Sequence, residues 1–194
     1  MNRTAKIERT TKETQITLRL DLDGTGQARI ATGIGFLDHL LTSLTLHARW
    51  DLDLECQGDL EVDDHHTAED CAIVLGQALD RALGDRAGIE RFGWSLVPLD
   101  EALARVSVDL AARPSANVDF GLRREMLGAL ACENVTHFAQ SLATHGRFCC
   151  HLDLLKGEND HHRAEAGFKA LAVALRQATA PRGTGVPSTK GAME

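Results

Sequence analysis

Apolar residues Ile16, Leu18, Leu20 and Leu22 alternate with Thr17, Arg19 and Asp21, and that period of two predicts a half-buried strand. The same alternation marks Trp50, Leu52, Leu54 and Cys56, and later Phe148, Cys150, Leu152 and Leu154. Phe92 to Pro98, the stretch around Leu103, Val106, Val108 and Leu110, and the less regular Ala116 to Phe120 read as three further strands. Helical spacing takes over at Phe36, Leu37, Leu40, Leu41 and Leu44, ending near His47. It returns from Thr67 to Leu83, where Gly84-Asp85 stops it, and again over 132–145 and from Ala164 to Ala178. Residues 3–9 are polar with little periodicity. Asp23-Gly24-Thr25-Gly26 is a turn after which Gln27 to Ile30 is expected to return as a strand. The tail from Pro181, rich in Pro and Gly, is expected to be extended or mobile.

The second part of this pattern repeats the first. His39, Leu44 and His47 match His137, Leu142 and His145 at identical spacing, and each set precedes an alternating strand. Each strand is followed by Asp-His-His-x-Ala-Glu: Asp64-His65-His66-Thr67-Ala68-Glu69 and Asp160-His161-His162-Arg163-Ala164-Glu165. Two copies are too few for a solenoid. The chain reads as one domain, 1–194, of two duplicated halves, about 1–92 and 93–180, with a tail 181–194 and a pseudo-two-fold axis between the halves.

Composition changes the picture little. At 194 residues, 43% apolar and 25% charged, the chain can bury a substantial core. A formal charge of −7 argues against a nucleic-acid binder, which needs a basic face. No apolar run has membrane-spanning length and the N-terminus lacks a signal-peptide core, so a cytoplasmic location is expected. Cys56, Cys71, Cys132, Cys149 and Cys150 form no C-x-x-C pair and read as reduced, mostly buried thiols. Tyrosine is absent, so any proton donor is another residue type.

The histidines carry the chemistry. Isolated histidines are mostly surface or core residues, but six histidines and two glutamates in matched spacing are not scatter. Residues three or four apart on a helix share a face, whereas neighbours point roughly 100° apart. His66 with Glu69, and His162 with Glu165, can therefore chelate together, leaving His65 and His161 for exchange between the halves. The expected sets are His39, His66, Glu69 and His161 on one ion, and His137, His162, Glu165 and His65 on the other. Three imidazoles and a carboxylate suit Mn, Fe, Co or Zn. The lack of thiolates argues against structural zinc, and open positions favour manganese or iron. Arg91, Arg113, Lys169 and Lys190 are scattered cations, and Ser188-Thr189-Lys190 can place hydroxyl and ammonium donors on an anion. Gly24-Thr25-Gly26 and Gly33-Ile34-Gly35 lack the continuation of a nucleotide-binding loop.

These segments resemble imidazoleglycerol-phosphate dehydratase, the histidine-biosynthesis enzyme family. The resemblance runs through Gly33-Ile34-Gly35-Phe36-Leu37-Asp38-His39, Glu55 to Asp70, Arg91-Phe92-Gly93, Arg113-Pro114, Gly157 to His162 and Pro187-Ser188-Thr189-Lys190-Gly191. It implies the monofunctional form and an α+β fold of the ribosomal protein S5 domain 2-like kind. In that fold each half is a four-stranded sheet with two helices on one face, and the helices are sandwiched between the sheets. It implies a hydro-lyase that converts D-erythro-imidazole-glycerol phosphate into imidazole-acetol phosphate and water, through an imidazolate held by two manganese ions per active site. The eight residues paired above fall on the family's ligand positions, of which His39, His65, Glu69 and His161 also face substrate. Glu13 matches the acid/base glutamate. Arg91, Arg113, Lys169, Ser188 and Lys190 match phosphate positions, Thr189 counts among the substrate-binding residues, and His47 and His145 match substrate-shell positions. A homo-oligomer of 24 subunits built from trimers, with interfacial active sites, is implied, and neither nucleic acid nor membrane is a partner. A non-catalytic metal-binding shell and a dinuclear metallohydrolase are the alternative functions; substrate-dependent loss of water, rather than phosphate release, separates them.

Overall fold

A computed structural model describes residues 3–189 together with Gly191 and Met193. In chain order the first half has β1 (Thr4–Thr10), β2 (Thr14–Asp21), β3 (Ala28–Ala31), α1 (Gly35–Ala48), β4 (Asp51–Gly58) and α2 (His65–Leu83). The second has β5 (Phe92–Leu99), β6 (Ala102–Asp109), β7 (Ser115–Asp119), β8 (Met126–Leu127), β9 (Leu130–Ala131), α3 (Cys132–His145), β10 (Cys149–Lys156) and α4 (Asp160–Thr179). Two four-stranded sheets result, ordered β1-β2-β4-β3 and β5-β6-β10-β7. Each has two antiparallel pairs and one parallel edge pair, so the second sheet reproduces the topology of the first. Among the described residues the β8–β9 hairpin is extra to the second half, and no helix is long and apolar enough to cross a membrane.

The alternating residues explain the layers. Ile16, Leu18 and Leu20 of β2 and Leu52, Leu54 and Cys56 of β4 are buried on one sheet face, while Thr17, Arg19 and Asp53 face out. That inner face receives α2 on β1 and β2, and α1 on β3. On the other side α4 packs on β5 and β6, and α3 on β7. The helices then meet across the middle layer, α2 against α3 and α1 against α4. Gly76 of α2 permits one of these approaches, since a Cβ there would lie 2.7 Å from the backbone nitrogen of Gly146, at the end of α3. The expected fold of two similar halves with helices between sheets is the one observed.

Three expectations differ in detail. Residues 3–9 fall largely in an edge strand, β1, that buries only Ile7 fully and so shows no alternation in its sequence. The strand after Gly26 does not return beside β2 but lies parallel to β4 at the far edge. The first part of the tail is docked rather than loose: Gly88 N donates to Gly185 O at 2.7 Å, and Arg182 N donates to Gly88 O at 2.8 Å. The buried Arg86 guanidinium donates to the carbonyls of Leu110, Gly146 and Arg147, tying the ends of β6 and α3 to the loop that follows α2. All five cysteines are free thiols, and only Cys149 is more than marginally exposed.

Candidate metal centre

Because α1 lies against α4 and α2 against α3, each half lends one helix to each of two side-chain clusters. On α4, His161 and Glu165 are four residues apart and share the face turned to α1. Glu165 Oε1 accepts from His161 Nε2 at 2.7 Å and from His39 Nε2 of α1 at 2.8 Å. Its other oxygen is 2.7 Å from the Lys169 ammonium. Burial would raise the Glu165 pKa, but hydrogen bonds from Lys169, His39 and His161 outweigh it and hold the group at about 2. The carboxylate is therefore ionised and ready to act as a ligand.

The counterpart lies between α2 and α3. Glu69 Oε1 accepts from His137 Nε2 at 2.8 Å, and Glu69 Oε2 is 4.0 Å from His65 Nε2. The His65 and His137 rings stack with centroids 5.1 Å apart. His65 Nδ1 donates to Asn134 Oδ1 at 2.9 Å, which turns Nε2 toward the carboxylate. Asn134 in turn donates to Asp64 Oδ2. In both clusters the donor atoms of two imidazoles and one carboxylate lie within 4.8 Å of one another. Such a donor set fits a divalent transition ion and, on an octahedral ion, leaves three positions open.

Within one chain this partition differs from the expected one. The histidine that joins each glutamate is four residues before it, not three, because that face meets the neighbouring helix. His66 and His162, one position on, point away. His66 Nδ1 donates to Asp59 at 3.0 Å, and its Nε2 stands 3.7 Å from the exposed carboxylate of Glu13 in the β1–β2 turn. His162 Nδ1 donates to Glu101 in the β5–β6 turn at 2.7 Å. Its Nε2 stands 3.5 Å from the Asp100 carboxylate of the same turn, as His66 Nε2 stands near Glu13. A carboxylate held on one ring nitrogen is the usual second layer of a metal-bound imidazole. These hydrogen bonds raise the pKa of both rings. Glu101 itself is held at about 2 by hydrogen bonds from Asn159 N, His162 and Glu158 N. Glu101→Gln is expected to lower the His162 pKa toward its ordinary 6.5 and leave His66 unchanged, as read by NMR titration of the imidazoles; an unmoved His162 would remove Glu101 as the cause.

The other candidates spread around these clusters. His47 continues the α1–α4 interface, and burial together with the charges of Lys169 and Arg176 lowers its pKa. His145 is half-buried in the last turn of α3. Arg91 is engaged by Asp109 at 2.7 and 3.0 Å and by the Pro187 carbonyl at 2.8 Å, so it anchors the segment carrying Ser188 and Thr189. Arg113 is exposed, Ser188 is half-buried and Thr189 is exposed. Lys190 lies outside the described residues. Sequence reasoning missed Asn134 and Glu101, which no motif marks, and gave no separate role to Asp59, which holds His66 Nδ1 from just before the first motif.

Comparison with known proteins gives a consistent result. The sequence profile of imidazoleglycerol-phosphate dehydratase matches residues 32–175. The chain is 56% identical to the imidazoleglycerol-phosphate dehydratase of Phytophthora nicotianae over 98% of its own length, but spans only 42% of that longer protein. It is 51% identical to that of Candida glabrata, covering 97% of this chain and 99% of the relative. Among solved structures, the Staphylococcus aureus dehydratase superposes with a TM-score of 0.83 at 37% identity, over 92% of this chain and 99% of that one. The Pyrococcus furiosus enzyme, in complex with (S)-C348, gives 0.83 at 38%, over 96% and 99%. With the fold, the repeated clusters and these matches in agreement over nearly its whole length, the chain belongs to the imidazoleglycerol-phosphate dehydratase family.

Proposed function

We propose that this chain is a metal-dependent hydro-lyase of histidine biosynthesis that converts D-erythro-imidazole-glycerol phosphate into imidazole-acetol phosphate and water. The observation that carries the reading is the pair of matched triads, His39–His161–Glu165 and His65–His137–Glu69. An imidazole ring has two nitrogens, and two metal sites related by a pseudo-two-fold axis suit a ligand with two such ends. Two divalent ions, manganese by preference, would polarise the ring and spread the charge that develops when the adjacent carbon loses its proton.

The chain's own residues supply the rest. His66 and His162, whose Nδ1 atoms are held by Asp59 and Glu101, complete the triads of neighbouring subunits, so that the active sites lie at interfaces of a homo-oligomer, 24 subunits in the full shell. Glu13 travels with His66, so a carboxylate arrives beside the bound ring wherever His66 completes a site, and there it accepts and returns the proton. Arg113, Lys169, Ser188, Thr189 and Lys190 hold the phosphate. Arg91 positions that tail through the Pro187 carbonyl. Two small half-domains over about 1–92 and 93–180, together with the tail 181–194, carry these groups in one cytoplasmic protein.

The test is formation of imidazole-acetol phosphate by manganese-loaded protein beside a chelated control. Product that depends on metal is expected. Bound manganese without product would replace the proposal by a metal-binding shell, and release of phosphate by a hydrolase. Glu69→Gln and Glu165→Gln should each remove about half of the bound manganese, measured by dialysis and metal analysis. Full manganese content in both would overturn the ligand assignment.

A further inference from the structure

The two triads match in their ligands but not in their surroundings. Four residues beyond Glu165 the chain has Lys169, whose ammonium lies 2.7 Å from Glu165 Oε2. The equivalent position beyond Glu69 is the half-buried Ile73. At the helix start, Asp160 is paired with buried Arg163 at 3.2 Å. Its counterpart Asp64 has Thr67 in the place of that arginine, and its Oδ2 accepts from Ala131 N and Asn134 Nδ2, directly behind His65. Further along the α1–α4 interface, Arg176 donates to the His47 carbonyl at 3.2 Å. The α1–α4 triad therefore sits in a cationic neighbourhood, and the α2–α3 triad has a carboxylate behind it.

We propose that Lys169 makes the two metal sites unequal, so that the α2–α3 triad fills first and the α1–α4 triad binds tightly only when a phosphate group engages the Lys169 ammonium. This rests on the triads being metal sites. An ion ligated by Glu165 meets the ammonium within a few ångströms, and a divalent charge that close to a unit charge is repelled enough, even in a water-like dielectric, to weaken binding by about tenfold or more. A phosphate drawn to Lys169 offsets that repulsion. Linkage then requires the ion to strengthen phosphate binding by the same factor. The cluster would thus act as a gate in which the second metal and the anionic end of the substrate favour one another.

The experiment is a manganese binding isotherm on the chelator-stripped full chain, with free ion read by electron paramagnetic resonance, with and without inorganic phosphate. Two classes of equal stoichiometry are expected, separated by about tenfold or more in Kd. Glu165→Gln should remove the weaker class and Glu69→Gln the tighter. Phosphate should tighten the weaker class alone. Lys169→Met should close the gap without phosphate and abolish the phosphate effect, and Ile73→Lys should weaken the tighter class. Two sites of equal affinity in the natural protein, or a gap that Lys169→Met leaves unchanged, would overturn the inference while leaving the metal reading intact. A folded protein that binds no manganese would overturn both.

Discussion

Glu13→Gln is expected to lower kcat by about 10²–10⁴-fold, the usual worth of a positioned acid or base. Manganese content should stay at the natural level. The reason lies in a comparison of two turns that the repeat makes equivalent. The β5–β6 turn carries Glu101, whose carboxylate accepts from two backbone nitrogens and from His162, and is held at about 2. It is committed to shaping the start of α4. The β1–β2 turn carries Glu13, exposed and within 3.7 Å of His66 Nε2, with its backbone fixed by Thr11 Oγ1 at 3.1 Å. A carboxylate on a fixed turn, facing His66 Nε2 from beyond hydrogen-bond distance, can take a proton and give it back. The amide of Gln keeps the shape and loses that capacity. A fall in kcat with KM little changed is the expected split, and Glu13→Asp should recover part of the rate. Near-natural kcat in Glu13→Gln would remove the residue from proton transfer.

The second large effect is on stability. A Cβ at Gly93 of β5 would lie 1.9 Å from the Ala174 carbonyl oxygen and 2.9 Å from Ala178 N. Those are backbone atoms of α4, so no side chain can swing aside. The contact is stitched at both flanks, by Ser95 Oγ to Ala170 O at 2.7 Å and Trp94 N to Gln177 Oε1 at 3.1 Å. Gly93→Ala must lift the helix by more than an ångström, at a cost of about 3 kcal/mol. That corresponds to a fall in Tm of about 6–12 °C for a domain of this size. Gly35→Ala is the control: a Cβ there meets nothing within 4 Å, and in the first turn of α1 it should be neutral or gain up to about 1 kcal/mol. Equal stability of the two variants would show that α4 does not depend on the bare backbone at Gly93.

Much of this arrangement was legible in the chain because burial is one-sided. Leu18 and Leu54 alternate with polar neighbours since only one face of each sheet meets helices, and α3 was placed at its observed bounds, 132–145, by its apolar spacing. β1 was not legible, because an edge strand that buries only Ile7 has nothing to alternate. The placement of β3 was missed for a different reason: a short stretch with Ile30 half-buried does not say which neighbour it pairs with, and the long route through α1 permits a parallel partner. All eight metal-ligand candidates were visible as a repeat, yet their grouping was not. On a helix, i,i+3 and i,i+4 are equally good neighbours, so His65 and His66 compete for Glu69 until the partner helix is known. That helix comes from the other half of the chain, and no local pattern reports it. The residues that orient the rings, Asn134 and Glu101, were invisible for the same reason: each reaches its histidine from a different element.

The crossing of helices between the halves also bears on how such a protein could be divided. His39 lies on the first half while its partners His161 and Glu165 lie on the second, and His137 is likewise separated from His65 and Glu69. Neither half on its own contains a complete triad. Produced as two pieces, the chain would have to recombine before it could hold an ion, and uptake of metal would report on the meeting of the fragments. A single half paired with another copy of itself would offer both triads at once, which makes a self-associating half-length ancestor a sufficient starting point for the present chain.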